Sequence, residues 1–204
     1  MMSGMKEQIM EMMTNMPSKK KELLFTNTTA LFHDQAEKAD KQYAQSGDGM
    51  EMMVMMNTPE EIFYTDIAEG KSIEQRDLMG KKFLISEDIE KAKWKLTGET
   101  KEVAGYMCSQ AVMMEDSSEV IAWFTGQIPV SAGPMGSGQL PGLILSLEFT
   151  EHYVSYTASS VDLTPIDAES IIAPSEGKKI SREQFIKLAE EKEKQYGGQE
   201  GGDD

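Results

Sequence analysis

Hydrophobic and polar residues alternate in short runs along most of this chain, and nearly every run stops at a Gly, Pro, Asn or Asp. Leu23-Leu24-Phe25 and Ala30-Leu31-Phe32 flank Thr26-Asn27-Thr28-Thr29, which reads as a β-hairpin with Asn near the turn. Ile62-Phe63-Tyr64 and Lys71 to Leu78 follow as strands joined by Ala68-Glu69-Gly70. Lys82 to Ser86, Trp94 to Thr97 (ended by Gly98), Tyr106 to Met114, Val120 to Thr125, Leu143 to Phe149 and Tyr153 to Leu163 continue the series. Strands at roughly ten-residue spacing with turn residues between them predict an antiparallel meander. The absence of strand–helix–strand alternation argues against a parallel sheet.

The period changes at both ends. Met5, Ile9, Met12, Met13 and Met16 fall on one face at helical spacing, predicting a Met-rich amphipathic helix within residues 1–17 that Pro17 ends. Residues 34–49 read as an exposed excursion, and Met50 to Met56 as an apolar segment. Thr164-Pro165 opens a helical turn through Ile172. Ser181 then caps a helix, with Gln184 completing a capping box and Ile180 stapled to Phe185. Phe185, Leu188, Ala189 and Tyr196 share its apolar face, and Glu183 pairs with Lys187 at i,i+4. The expected organisation is a β domain over residues 18–164, a helical segment over 165–196 and a disordered tail over 197–204. The expected fold is mainly β (α+β): a strongly bent antiparallel sheet or half-barrel with short N- and C-terminal helices.

One stretch breaks the meander. Ile128 to Gly142 holds three prolines and four glycines, so it belongs to neither a strand nor a helix interior, and it runs into the apolar Leu143 to Phe149. A loop so specified in its backbone is a functional loop or a structural clasp.

Composition then removes several functions. A net charge of −15 with a pI near 4.6 repels phosphate backbones and anionic membrane surfaces, so nucleic acid is not a partner. No apolar run approaches the ~20 residues of a transmembrane helix. Cys108 is the only cysteine, which excludes an internal disulfide. The start of the chain lacks the charged and apolar regions of a signal peptide.

The candidate chemistry is thin. Of 17 methionines, seven lie in residues 1–16 and five in residues 50–56. Thioethers are soft ligands that favour Cu(I), and Met50, Met52, Met53 and Met56, joined by His33 or His152, form the candidate metal set. Met is also an adaptable packing residue, the blander explanation of both tracts. Cys108 has no basic neighbour in its run and reads as a buried strand residue rather than a nucleophile. The loop glycines lack the Gly-Lys-Ser/Thr of a phosphate cradle, and Ser137 lacks the context of a nucleophile elbow. No pair of carboxylates stands out for acid–base work, so the expectation is no catalytic residues and no enzyme.

Several motifs together resemble one family: Gln75-Arg76-Asp77-Leu78-Met79-Gly80-Lys81-Lys82-Phe83-Leu84-Ile85, Trp94-Lys95-Leu96-Thr97-Gly98-Glu99-Thr100, Gly105-Tyr106-Met107-Cys108, Ala122-Trp123-Phe124-Thr125, Ile128 to Pro134, and Leu140-Pro141-Gly142-Leu143-Ile144. The chain resembles the GLPGLI family of exported Bacteroidota proteins from about Lys21 to Tyr196. Gln139 stands where the name motif has its first Gly, with Gly138 expected to supply any positive φ. The resemblance implies a periplasmic or exported location, and a chain here lacking its signal peptide and first strand. The strand order is also similar to the half-barrels of periplasmic lipoprotein carriers. On these grounds the expected function is a non-enzymatic cell-envelope binding protein. It would hold a lipid-like ligand or a segment of an envelope protein on a concave sheet lined by Phe83, Ile85, Trp94, Trp123, Leu140, Pro141, Gly142 and Leu143. Cu(I) binding is the alternative, and a purely structural or interaction role the third reading.

Overall fold

The computed structural model describes residues 20–35, 43–45, 51–53, 61–115, 118–151 and 154–197. The chain is mainly β, with two larger sheets, no closed barrel and, among the described residues, one α-helix. The first sheet is built from β1 (Lys21–Phe25), β2 (Thr29–Asp34), β5 (Glu61–Asp66), β6 (Lys71–Leu78), β7 (Lys81–Asp88) and β13 (Lys178–Ile180), in that spatial order. Between β2 and β5, the short strands β3 (Tyr43–Gln45) and β4 (Glu51–Met53) form a separate two-stranded sheet among the described residues. The second sheet has the order β12-β11-β10-β9-β8, from β8 (Lys95–Val103), β9 (Tyr106–Glu115), β10 (Ser118–Thr125), β11 (Leu143–Phe149) and β12 (Val154–Thr157).

The meander is as the alternation predicts, with three corrections. Gly98 does not end its strand: at φ 87° it sits where the β8–β9 register shifts, so β8 starts at Lys95 and runs on to Val103. The segment Tyr153 to Leu163 yields only the four residues of β12. One pairing is parallel, because β13 returns after the second sheet and lies beside β7. The predicted N-terminal helix lies outside the described residues. The turn predicted over 165–172 contracts to a 3-10 turn at Ala168–Ser170. The C-terminal helix α1 (Arg182–Gly197) forms as its cap requires: Gln184 N–H donates to Ser181 Oγ, and Ser181 N–H donates to Gln184 Oε1, each at 3.2 Å.

Register decides what each sheet presents. Phe32 pairs with Phe63, Phe63 with Glu74, and Glu74 with Ile85, so these four share one face of the six-stranded sheet. Glu61, Arg76 and Phe83 share that face, as do Thr65, Ser72 and Glu87. In the five-stranded sheet a bulge at Leu145 resets the alternation of β11: Ile144 pairs with Phe124, but Leu147 with Ala122. Ile144 and Leu147 therefore point the same way, into a cluster with Ala111, Val120, Ala122, Phe124 and Leu140. Leu143 and Leu145 point to the other side, with Cys108 and Trp123. The faces of the two sheets meet where Tyr156 of β12 packs edge-on to Phe32 of β2, ring centroids 5.3 Å apart.

The Pro/Gly loop is the clasp between the sheets. Ile144 N–H donates to Ala132 O at 2.9 Å, and the 3-10 turn Pro134–Gly136 reaches β2, β5 and β11. Gly142 is required by proximity rather than by φ: a Cβ there would stand 2.1 Å from the Thr125 carbonyl oxygen. Positive φ falls on Gln139 itself (62°), not on Gly138, which corrects the expectation for that turn. The Gln139 side chain explains why Gln serves: its Nε2 donates to Glu90 O at 2.7 Å and its Oε1 accepts from Ala92 N–H at 3.0 Å. Trp94 Nε1 donates to Gly138 O at 2.9 Å. The loop thereby fastens residues 89–94, the segment by which the chain crosses from one sheet to the other.

Candidate functional site

A cleft of about 1020 Å³ opens between the sheets, bounded by β5–β7 on one side, by Leu147 and Phe149 on the other, and by Met135–Ser137 of the clasp. Its floor follows from strand alternation. Glu74 and Arg76 lie two apart on β6, opposite Ile85 and Phe83 of β7, so both point inward. Arg182, the first residue of α1, comes in over them.

Glu74 is almost completely buried and is held by two guanidinium groups. Arg182 Nη2 donates to Glu74 Oε1 at 2.6 Å and Arg76 Nε to Glu74 Oε2 at 3.2 Å. Arg182 Nε donates to Glu87 Oε2 at 2.7 Å, and Arg76 lies 3.8 Å from Glu61. The Arg76 guanidinium is also stacked near Phe63 and Phe185, 5.3 and 5.9 Å from their ring centroids. Burial opposes the charge of Arg182, but Glu74 and Glu87 outweigh it and hold the group above the ordinary arginine range. Nearby, burial raises the Tyr156 phenol above its usual range, with Glu61 adding to the shift and Arg76 opposing it. The result is a rigid floor of fixed donors and acceptors with aromatic and aliphatic walls, suited to a ligand with many polar groups. Both oxygens of Glu74 are occupied by arginine, which leaves neither aimed at an open site for proton transfer.

The residues expected to line an apolar concavity do not assemble there. Phe83 and Ile85 are on the inward face but lie under Phe185 of α1, with the Phe83 and Phe185 centroids 5.7 Å apart. Trp123 and Leu143 are in the cluster on the other side of the five-stranded sheet, whereas Leu140 belongs with Ile144 and Leu147. Trp94 is half-buried and fastened to the clasp, Pro141 is exposed, and Gly142 is a backbone contact. None of the eight borders the cleft. The bulge at Leu145 and the cover supplied by α1 produced this outcome, and neither is readable as a period. Of the candidate copper ligands, Met50 and Met56 lie outside the described residues. Met52 and Met53 are adjacent within β4.

Glu61, Glu74, Arg76 and Glu87 were missed because charged residues in a strand read as solvent-facing, and Arg182 because a charge in the first turn of a helix reads the same way. The signal was present in β6, where the face that β5 and β7 bury with Phe63 and Ile85 carries Ser72, Glu74 and Arg76 in succession before its one apolar residue, Leu78. Cys108 is a buried strand residue, its thiol raised by burial despite Lys101. Lys101 in turn sits 4.2 Å above the Trp123 ring and 3.1 Å from Glu148.

The model of the family described as "N-glycanase peptide, N-terminal domain" matches residues 40–183. Two solved structures of PNGF-II, in space groups C2 and P21, are each similar with a TM-score of 0.59 at 18% identity. They cover 85% and 86% of this chain, which spans 30% of theirs. No curated protein matches the sequence. The family match overturns the GLPGLI resemblance. The motifs that suggested it combine strand segments with turn glycines, such as Gly80, Gly98 and Gly105 at positive φ, which tight turns and bulges between strands demand in any family.

Proposed function

The chain belongs to the family of the N-glycanase peptide N-terminal domain, and from that membership we propose that it is a non-catalytic module that binds a glycoconjugate in the inter-sheet cleft. The observation that carries the reading is the floor of the cleft, where Glu74, Glu87, Arg76 and Arg182 fix one another in place. Pre-set polar groups beside Phe63 and Phe149 suit the hydroxyls and apolar faces of a sugar. A lipid-like ligand would strip the remaining water from these paired charges without replacing it, so a polar occupant is favoured over an apolar one. The module works beside a glycan-cleaving activity and concentrates its substrate, without supplying the reacting groups.

An exported location goes with this reading, since glycoproteins are met chiefly outside the cytoplasm; among the described residues no helix is long and apolar enough to cross a membrane. Titration calorimetry with a free N-glycan core oligosaccharide tests the proposal. Saturable binding that weakens at least tenfold in Ser72→Tyr, which fills the cleft, supports it. Binding of a fatty acid with none of the oligosaccharide rejects it.

A further inference from the structure

The two sheets end in unlike edges. On β8, Lys95 and Lys101 line the strand, Gly98 takes φ 87°, and the register with β9 shifts between Leu96 and Thr100. Lysines and bulges of this kind discourage another strand from pairing. β1 has neither a bulge nor a register shift. The Thr26 N–H donates to Thr29 O and the Gln35 N–H to Lys20 O, so residues 20, 22, 24 and 26 turn their peptide groups toward β2. Those of Lys21, Leu23 and Phe25 therefore point outward, and among the described residues they meet no backbone partner.

A slot of about 410 Å³ runs beside this edge, closed on its far side by residues 162–166. Leu163 and Ile166 are 53% and 38% exposed, an apolar wall facing unpaired backbone donors and acceptors. Among the described residues, Asp162 is the only ionisable side chain lining the slot. Its Oδ1 accepts from Thr164 N–H at 2.9 Å and from Thr164 Oγ1 at 2.7 Å, which fixes the carboxylate. These bonds hold its pKa below the ordinary range.

We propose that β1 accepts an extended stretch of the substrate's own polypeptide as an added strand, with an apolar side chain against Leu163 and Ile166 and a basic one at Asp162. The proposal rests on the glycoconjugate reading: the cleft takes the sugar, and the edge takes the protein part. Outward groups on Leu23 and Phe25 lie about 6.7 Å apart, the two-residue repeat of a strand, and alternate side chains of the occupant would then face the wall.

The test uses a blocked synthetic peptide of alternating valine and lysine, without sugar. Bound peptide should slow amide exchange at Leu23 and Phe25 while leaving Leu24, already paired with β2, unchanged. Leu23→Pro removes an outward N–H that the β1–β2 pairing does not use, so the sheet should persist and affinity should fall at least tenfold. Leu163→Asp, at an exposed position, should weaken binding by a similar factor, and Asp162→Asn by about threefold with a reduced salt dependence. Unchanged exchange at Leu23 and Phe25, or full binding by both Leu23→Pro and Leu163→Asp, overturns the proposal. The oligosaccharide titration is independent of it: binding of sugar without peptide removes the edge site alone, and binding of peptide without sugar removes the cleft reading.

Discussion

The two sheets face each other with different inner surfaces. The five-stranded sheet contributes Ala111, Val120, Ala122, Phe124, Ile144 and Leu147, all but inaccessible and without a charge among them. The six-stranded sheet places the buried Glu74 among Phe63, Phe83 and Ile85, with the partly exposed Arg76 and Glu87 on the same face. The first surface stabilises by removing apolar area from water. The second holds desolvated charges that contribute little net stability, because pairing largely offsets the cost of burial. One sheet therefore supports the fold, and the other carries the candidate site.

If that division is right, lesions on the apolar side should cost most. Gly142→Ala drives a Cβ into the Thr125 carbonyl at the junction of clasp and five-stranded sheet. It should destabilise by more than about 4 kcal/mol, in the range of severe lesions, and yield insoluble protein. Leu147→Ala, 1% exposed, should cost about 2–5 kcal/mol in chemical denaturation. On the charged side, Glu74→Gln leaves Arg76 and Arg182 short of a carboxylate. Both arginines keep solvent contact, so the loss should be smaller, about 1–3 kcal/mol by the same assay. A Glu74→Gln cost equal to that of Leu147→Ala would erase the distinction.

Ser181→Ala removes the cap of α1 and should cost about 1 kcal/mol. The smallest effect is at alkaline pH. Burial first, and then Glu61, favour the neutral Tyr156 phenol in the folded state. The unfolded chain therefore loses that proton sooner, near pH ~10, and stability falls as pH rises beyond it. Tyr156→Phe should make this alkaline limb of the denaturation midpoint shallower while leaving values near neutrality almost unchanged.

The apolar sheet was the legible one. Val120 to Thr125 and Leu143 to Phe149 were readable as strands because β-branched and aliphatic residues in short bounded runs admit few other structures. The cap of α1 was readable because its signals are local: Ser181, Gln184, Ile180 and Phe185 lie within six residues. Which face each residue occupies was less so. The bulge at Leu145 displaces Leu147 from the face that strict alternation from Leu143 would assign. The cleft depends on Arg182 meeting Glu74 and Glu87 across more than ninety residues, a contact that no local pattern carries. The clasp was recognised as conformationally dictated. The partners of Gln139, Glu90 and Ala92, were not visible from its own stretch.

The most direct test of the account is calorimetric titration of the intact chain with an N-glycan core oligosaccharide, run beside Ser72→Tyr. The account predicts saturable binding to the parent chain and at least a tenfold loss when the cleft is filled. Binding that is absent, or indifferent to filling the cleft, would contradict it.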